Sequence, residues 1–146
     1  SGHKRWHVQR MLEGRNWYAA AGASQETLQA LRNAAPSDLP ESYVALLSFS
    51  DGGEGPLSVQ PYNLVLDPTL EVVSRIANRN YGQPEFDGFL IFGGNGGGEY
   101  LALDMRQGTP WPVVSIDMVA GRNSAEQVAS DFDRFIDLIG CEPSDG

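Results

Sequence analysis

Apolar residues recur along this chain with two different periods, and the changes of period predict the order of its elements. Ser24, then Gln25 and Glu26, with Leu28 and Leu31 three apart and Pro36 beyond, predicts a serine-capped helix over 25–34. Pro40 suits the first position of a second helix whose inward face is Tyr43, Leu46 and Leu47, and Asp51-Gly52-Gly53 stops it. Tyr62, Leu64 and Leu66 alternate with Asn63 and Val65, the period of a strand, after a turn-rich Gly53-Glu54-Gly55-Pro56. Asp67-Pro68 opens a helix with Val72, Val73, Ile76 and Ala77 as its apolar stripe, followed by a loop at 80–84.

Phe89 to Phe92 is a continuous apolar run too short for an independent helix, which predicts a buried central strand. Strands at 99–104 and 112–117 complete a meander, since short connections favour antiparallel neighbours. Ser124 and Gln127 have the spacing of a capping box, and Val128, Phe132, Phe135, Ile136 and Ile139 recur at helical spacing up to Gly140, so a closing helix is expected from Ser124 onward. Residues 3–18 place Trp6, Met11, Leu12 and Trp17 among basic residues, as a short helix or an extended arm. Helices first, strands in the middle and a helix at the end predict an α+β domain with a largely antiparallel sheet packed against helices. Residues 1–23 are its arm, 24–140 the domain and 141–146 a tail, with Ser1 and Gly2 set aside as residues a cloning step can leave.

The 146 residues fit one domain, and their formal charge of -9 disfavours nucleic acid as a partner. The charge is unevenly spread: residues 1–34 hold five basic and two acidic side chains, a net of +3, which leaves -12 on the rest. No apolar run approaches the ~20 residues of a membrane span, and the lone Cys141 fits a reducing, cytoplasmic setting.

Gly93-Gly94-Asn95-Gly96-Gly97-Gly98 invites a phosphate-cradle reading that the flanking residues refuse. Glu99 stands where a P-loop needs lysine, and a strand follows instead of a helix N-terminus. A hairpin or bulge with left-handed positions accounts for the glycines. His3 and His7 have no accompanying ligand set, Asp51 to Glu54 lacks the alternating oxygens of a calcium loop, and no histidine follows residue 7 to serve a nucleophile. Glu99 and Asp104, five apart on one strand, point to opposite faces, although Asp104 can approach Asp117 on the next strand. No catalytic residue, metal or cofactor is expected.

The order of these landmarks resembles the SUKH superfamily, which holds bacterial immunity proteins and the yeast cell-wall-assembly regulator. Leu39-Pro40 with Tyr43, Leu46-Leu47 and Asp51-Gly52-Gly53 is similar to its Leu-Pro-x-x-Tyr helix and following turn. Leu70-Glu71-Val72 resembles its middle helix, Phe92 to Asp104 its glycine-rich hairpin, and Pro112-Val113-Val114 with Ala129 to Phe135 its next strand and final helix. The resemblance covers about 24–139; Asp51 stands where Asn is frequent, and the basic aromatic head has no firm counterpart. It implies a non-enzymatic protein-binding domain, an immunity protein that neutralises a cognate polymorphic toxin by stoichiometric binding, or alternatively an interaction module in regulation or envelope assembly. The -12 body suits a basic partner. Loop and strand-end residues expected to meet it are Asp51, Glu54, Asn95, Glu99, Asp104 and Trp111, although Asp51 can cap a turn, Asp104 can fix a strand end and Trp111 can be core.

Overall fold

A computed structural model describes residues 6–144. The predicted residues 1–2 and His3, Lys4 and Arg5 of the head, and 145–146 of the tail, lie outside that range. Seven strands stand side by side in chain order, each antiparallel to the next: β1 Tyr18–Ala19, β2 Gly53–Pro56, β3 Asn63–Leu66, β4 Phe89–Gly94, β5 Glu99–Asp104, β6 Val113–Asp117 and β7 Glu126–Ala129. Helices α1 Val8–Met11, α2 Gln25–Ala34, α3 Glu41–Phe49 and α4 Thr69–Ala77, a left-handed turn α5 Arg79–Gly82, and α6 Phe132–Ile136 complete the α+β domain.

The helix starts are chemically legible. The Ser24 hydroxyl accepts from the Thr27 amide at 3.2 Å at the start of α2, as predicted. For α4 the cap comes from a distant residue: the Asp51 carboxylate accepts from the Thr69 amide at 2.7 Å and from its hydroxyl at 2.6 Å. One turn therefore pins the end of α3 to the start of α4.

The helices cover one face of the sheet. Beneath them Leu64, Leu66, Leu90, Phe92, Leu101, Leu103 and Val113 meet Leu31, Tyr43, Leu46, Val72, Phe132 and Phe135. Phe92, Phe132 and Tyr43 pack with ring centroids 5.2–5.6 Å apart. The basic aromatic head docks here too, with Val8 and Leu12 buried and Trp6, Met11 and Trp17 packed against the same core.

The end of the chain corrects the predicted closing helix. Residues 126–129 form β7, where Gln127 sits opposite Val114, and α6 begins only after Asp131, whose carboxylate caps Arg134 at 2.8 Å. Ser124 is no helix cap, because its hydroxyl donates to the Gly121 carbonyl and accepts from the Asp117 amide. Burying a large apolar side chain is worth roughly 1.5–3 kcal/mol, against about 1 kcal/mol for a cap. Pairing with β6, and the burial of Ala129 and Phe132, outweigh the capping-box spacing. Two further differences concern strands: Gly53 to Pro56 is a strand instead of only a turn, and Tyr62 lies before β3 with a left-handed φ of 69°, half exposed instead of inward.

The second face of the sheet is covered on one half only. Phe86, Phe89, Ile91, Ala102, Val114 and Ile116 form a smaller cluster with Tyr100 and Ala125 packed against it, closed by the 3-10 turns at Pro84–Phe86 and Gly121–Ser124. Arg122 ties those turns together by donating to the Pro84 carbonyl. Along β4, β3 pairs only at Gly93 and Gly94. The edge this leaves is served by side chains: Arg75 donates to the Ile91 carbonyl at 3.0 Å, and Asn80 to Phe86 at 2.8 Å and Phe89 at 3.4 Å. Asn80 does so from the left-handed turn, a conformation Asn tolerates better than most residues.

Candidate partner-binding face

Over the other half of the second face, at β1 to β4, no turn among the described residues lies as cover. Register fixes which residues line it. Tyr18 lies opposite Glu54, Glu54 opposite Val65, Val65 opposite Gly94, and Gly94 opposite Tyr100, giving one row across five strands. Leu64 and Leu66 point to the helices, so Asn63 and Val65 point to this face. Tyr18 is 76% exposed and Glu54 is exposed beside it.

Amide side chains order the acidic groups. Asn63 donates to Glu54 Oε2 at 3.2 Å and to the Asn95 carbonyl at 3.0 Å, joining β2, β3 and the β4–β5 hairpin. Asn95 Oδ1 accepts from the Gly97 amide at 2.9 Å and the Glu99 amide at 3.1 Å, and its Nδ2 reaches Glu99 Oε2 at 3.5 Å. Asn95 thus builds the turn with its side chain, while Gly96 takes the left-handed φ of 81°. Glu99 lies opposite Asp117. Asp117 accepts from the Ala120 and Val119 amides, which hold its carboxyl below the usual range. Among the described residues no Arg or His is within ion-pair distance of Glu54, Glu99 or Asp117.

Of the six residues expected from sequence, Glu54 lies on this face, and Asn95 and Glu99 stand at the adjoining hairpin, linked to Glu54 through Asn63, with Glu99 alternating with Tyr100 toward the helix side. Asp51 is half-buried under α4 as its cap. Asp104 is at the far end of β5, opposite Phe89, and does not approach Asp117; Glu99 takes that position. Burial pushes the Asp104 carboxyl up, but Arg106 outweighs it and leaves the pKa below the usual range. The guanidinium binds it at 3.0 and 3.1 Å and the Arg106 amide at 3.1 Å, while the guanidinium also lies 4.4 Å above the Phe89 ring. Trp111 is 6% exposed in the helix-side core. Tyr18, Asn63, Val65 and Tyr100 belong to the face although sequence reasoning did not name them. For Asn63 and Val65 the signal was present, since they alternate with buried leucines.

A larger cavity of about 890 Å³ lies elsewhere, between α1 and α3, lined by residues including Trp6, Arg10, Trp17 and Phe49. No group of three His, Cys, Asp or Glu side chains among the described residues could hold a metal ion. No helix among them is long and apolar enough to cross a membrane.

The model of the SMI1 / KNR4 family (SUKH-1) matches residues 22–138. No curated protein matches the chain. The family match begins after α1 and β1 and spans the sheet from β2 to β7.

Proposed function

Because the chain belongs to the SMI1 / KNR4 family (SUKH-1), we propose that it is a cytoplasmic, non-enzymatic immunity protein that neutralises a cognate polymorphic toxin by stoichiometric binding. The observation that carries this reading is the bare half-face, where the exposed Tyr18 stands beside Glu54, a carboxylate without a cationic partner among the described residues. Carboxylates already satisfied by a guanidinium, as Asp104 is, have little to offer a second one. Those held only by amides keep their charge for an incoming basic surface. A standard interface needs about 800 Å² per partner, roughly a tenth of the 7762 Å² surface, so one face is enough to occlude a toxin's active cleft.

A photo-crosslinking residue at position 18, with one at the exposed Asp38 as control, tests this in lysate of the source cells. The reading predicts a toxin domain crosslinked from position 18 and not from 38. Recovery of an endogenous regulatory protein would favour the regulatory role instead, and recovery of chaperones alone would contradict both. Association should slow as ionic strength rises, because charges separated by more than a Debye length are screened.

A further inference from the structure

Among the described residues the sheet has strand edges at β1, β4 and β7 without a full neighbouring strand, and the last two are guarded. The edge of β4 beside Phe89 to Ile91 is plugged by the side chains of Arg75 and Asn80. The outer edge of β7 carries the exposed Glu126 and a bulge, since Val113 and Val114 sit opposite Ala129 and Gln127 and leave Val128 between them. Charges and bulges are the ordinary means by which a protein keeps an open edge from pairing with another chain.

β1 has none of these guards. It ends the sheet, no charged residue or proline stands between Arg15 and Glu26, and Tyr18 to Gly22 are all exposed. The segment is nevertheless held firmly from its inner side. The Ala20 amide donates to the Ser50 hydroxyl at 3.1 Å, the Ala21 carbonyl accepts from the Asp51 amide at 2.9 Å, and the Ala23 amide donates to the Leu47 carbonyl at 2.9 Å. The amides of Ala21 and Gly22 have no acceptor among the described residues. A fixed edge with free main-chain donors suits the backbone of another strand, because main-chain pairing supplies the affinity in strand addition.

A second copy of this chain is a poor occupant. Two copies carry a formal charge of -9 each and repel, and pairing through a strand of two residues falls far short of the ~800 Å² per partner of a standard interface. A basic partner is attracted instead, and Tyr18, opposite Glu54, carries its contact from the edge onto the half-face. We propose that β1 receives an extended segment of the basic partner protein as an eighth strand, paired through the main chain of Tyr18 to Gly22. This rests on reading the bare half-face as the partner's site, and adds how the partner's chain attaches beside it.

The test uses the full chain, isotopically labelled for amide NMR, titrated with a blocked heptapeptide of alternating Val and Lys and with the same peptide N-methylated at every second residue. Methylation removes the donors along one edge and keeps the side chains and the charge. The unmethylated peptide should shift the amides of Tyr18 to Gly22 and bind about fivefold or more tightly than the methylated one, the worth of at least one net hydrogen bond. Ala21→Pro, which removes a free amide, should weaken it similarly, whereas Ala21→Val, which keeps that amide, should bind like the parent. Thermal midpoints show whether each variant is folded, and the comparison of the two peptides on the parent chain needs no variant. Absence of shifts, shifts mapping elsewhere, or equal affinity for both peptides would overturn the proposal. A toxin crosslinked from position 18 together with peptides that leave β1 unmoved would overturn only the strand addition. Peptide pairing at β1 with no toxin captured would instead count against the immunity reading.

Discussion

The two ends of β5 carry carboxylates five residues apart with opposite fates. At Asp104 the chain turns back and brings Arg106 onto the carboxylate and over Phe89, so the charge is buried, paired and spent on holding a strand end. At Glu99 the neighbours are glycines and asparagine, no cation is in reach among the described residues, and the half-exposed carboxylate is left without a charged partner. The same residue chemistry serves the fold or a partner according to what stands within about 4 Å of it. A count of acidic residues, however strongly it tilts to -9, does not reveal that division.

The contrast predicts unequal responses to substitution. The largest is at the buried end: Asp104→Asn should lower stability by roughly 1.5–3 kcal/mol, the worth of hydrogen bonds to a charged group. Since the folded pKa lies below its usual value, the carboxylate's contribution is complete above the unfolded value of about 3.9 and is lost as pH falls through the folded one. Urea unfolding should therefore show the gap between parent and variant widest at neutral pH and narrowing below about pH 4; a gap that stays constant would break this half of the comparison. Gly94→Ala should cost roughly 1–3 kcal/mol as an overpacked site, read as a lower denaturant midpoint. Three residues on, Gly97→Ala should be neutral or stabilising by up to about 1 kcal/mol. The smallest effect on stability belongs to Glu99→Gln, within about 0.5 kcal/mol by calorimetry, and a larger loss would mean that the open end is also structural.

Much of the architecture was legible because its causes are local. The Ser24 cap, the Leu28 and Leu31 spacing, and the apolar run from Phe89 to Phe92 each act within a few residues, and each element stands where the pattern predicts it. What escaped was set by distant partners. Gly53 to Pro56 reads as a turn, yet it is β2 because small residues let the head lie against it: a Cβ at Gly55 would be 2.4 Å from the Asn16 carbonyl oxygen and 2.8 Å from Trp17. The capping-box spacing at Ser124 is real as a pattern and is overridden by pairing with β6. Glu54, Asn95 and Glu99 were visible as polar residues at loops and strand ends. Their grouping depends on Asn63, whose bridging amide only the three-dimensional register reveals.

The most direct measurement is amide hydrogen exchange on the chain alone and in complex with the partner crosslinked from position 18. The account predicts added protection at Glu54, Val65 and Gly94 to Tyr100, with exchange from Asp104 to Trp111 unchanged. Protection confined to the Asp104 end, or to the cavity between α1 and α3, would contradict it.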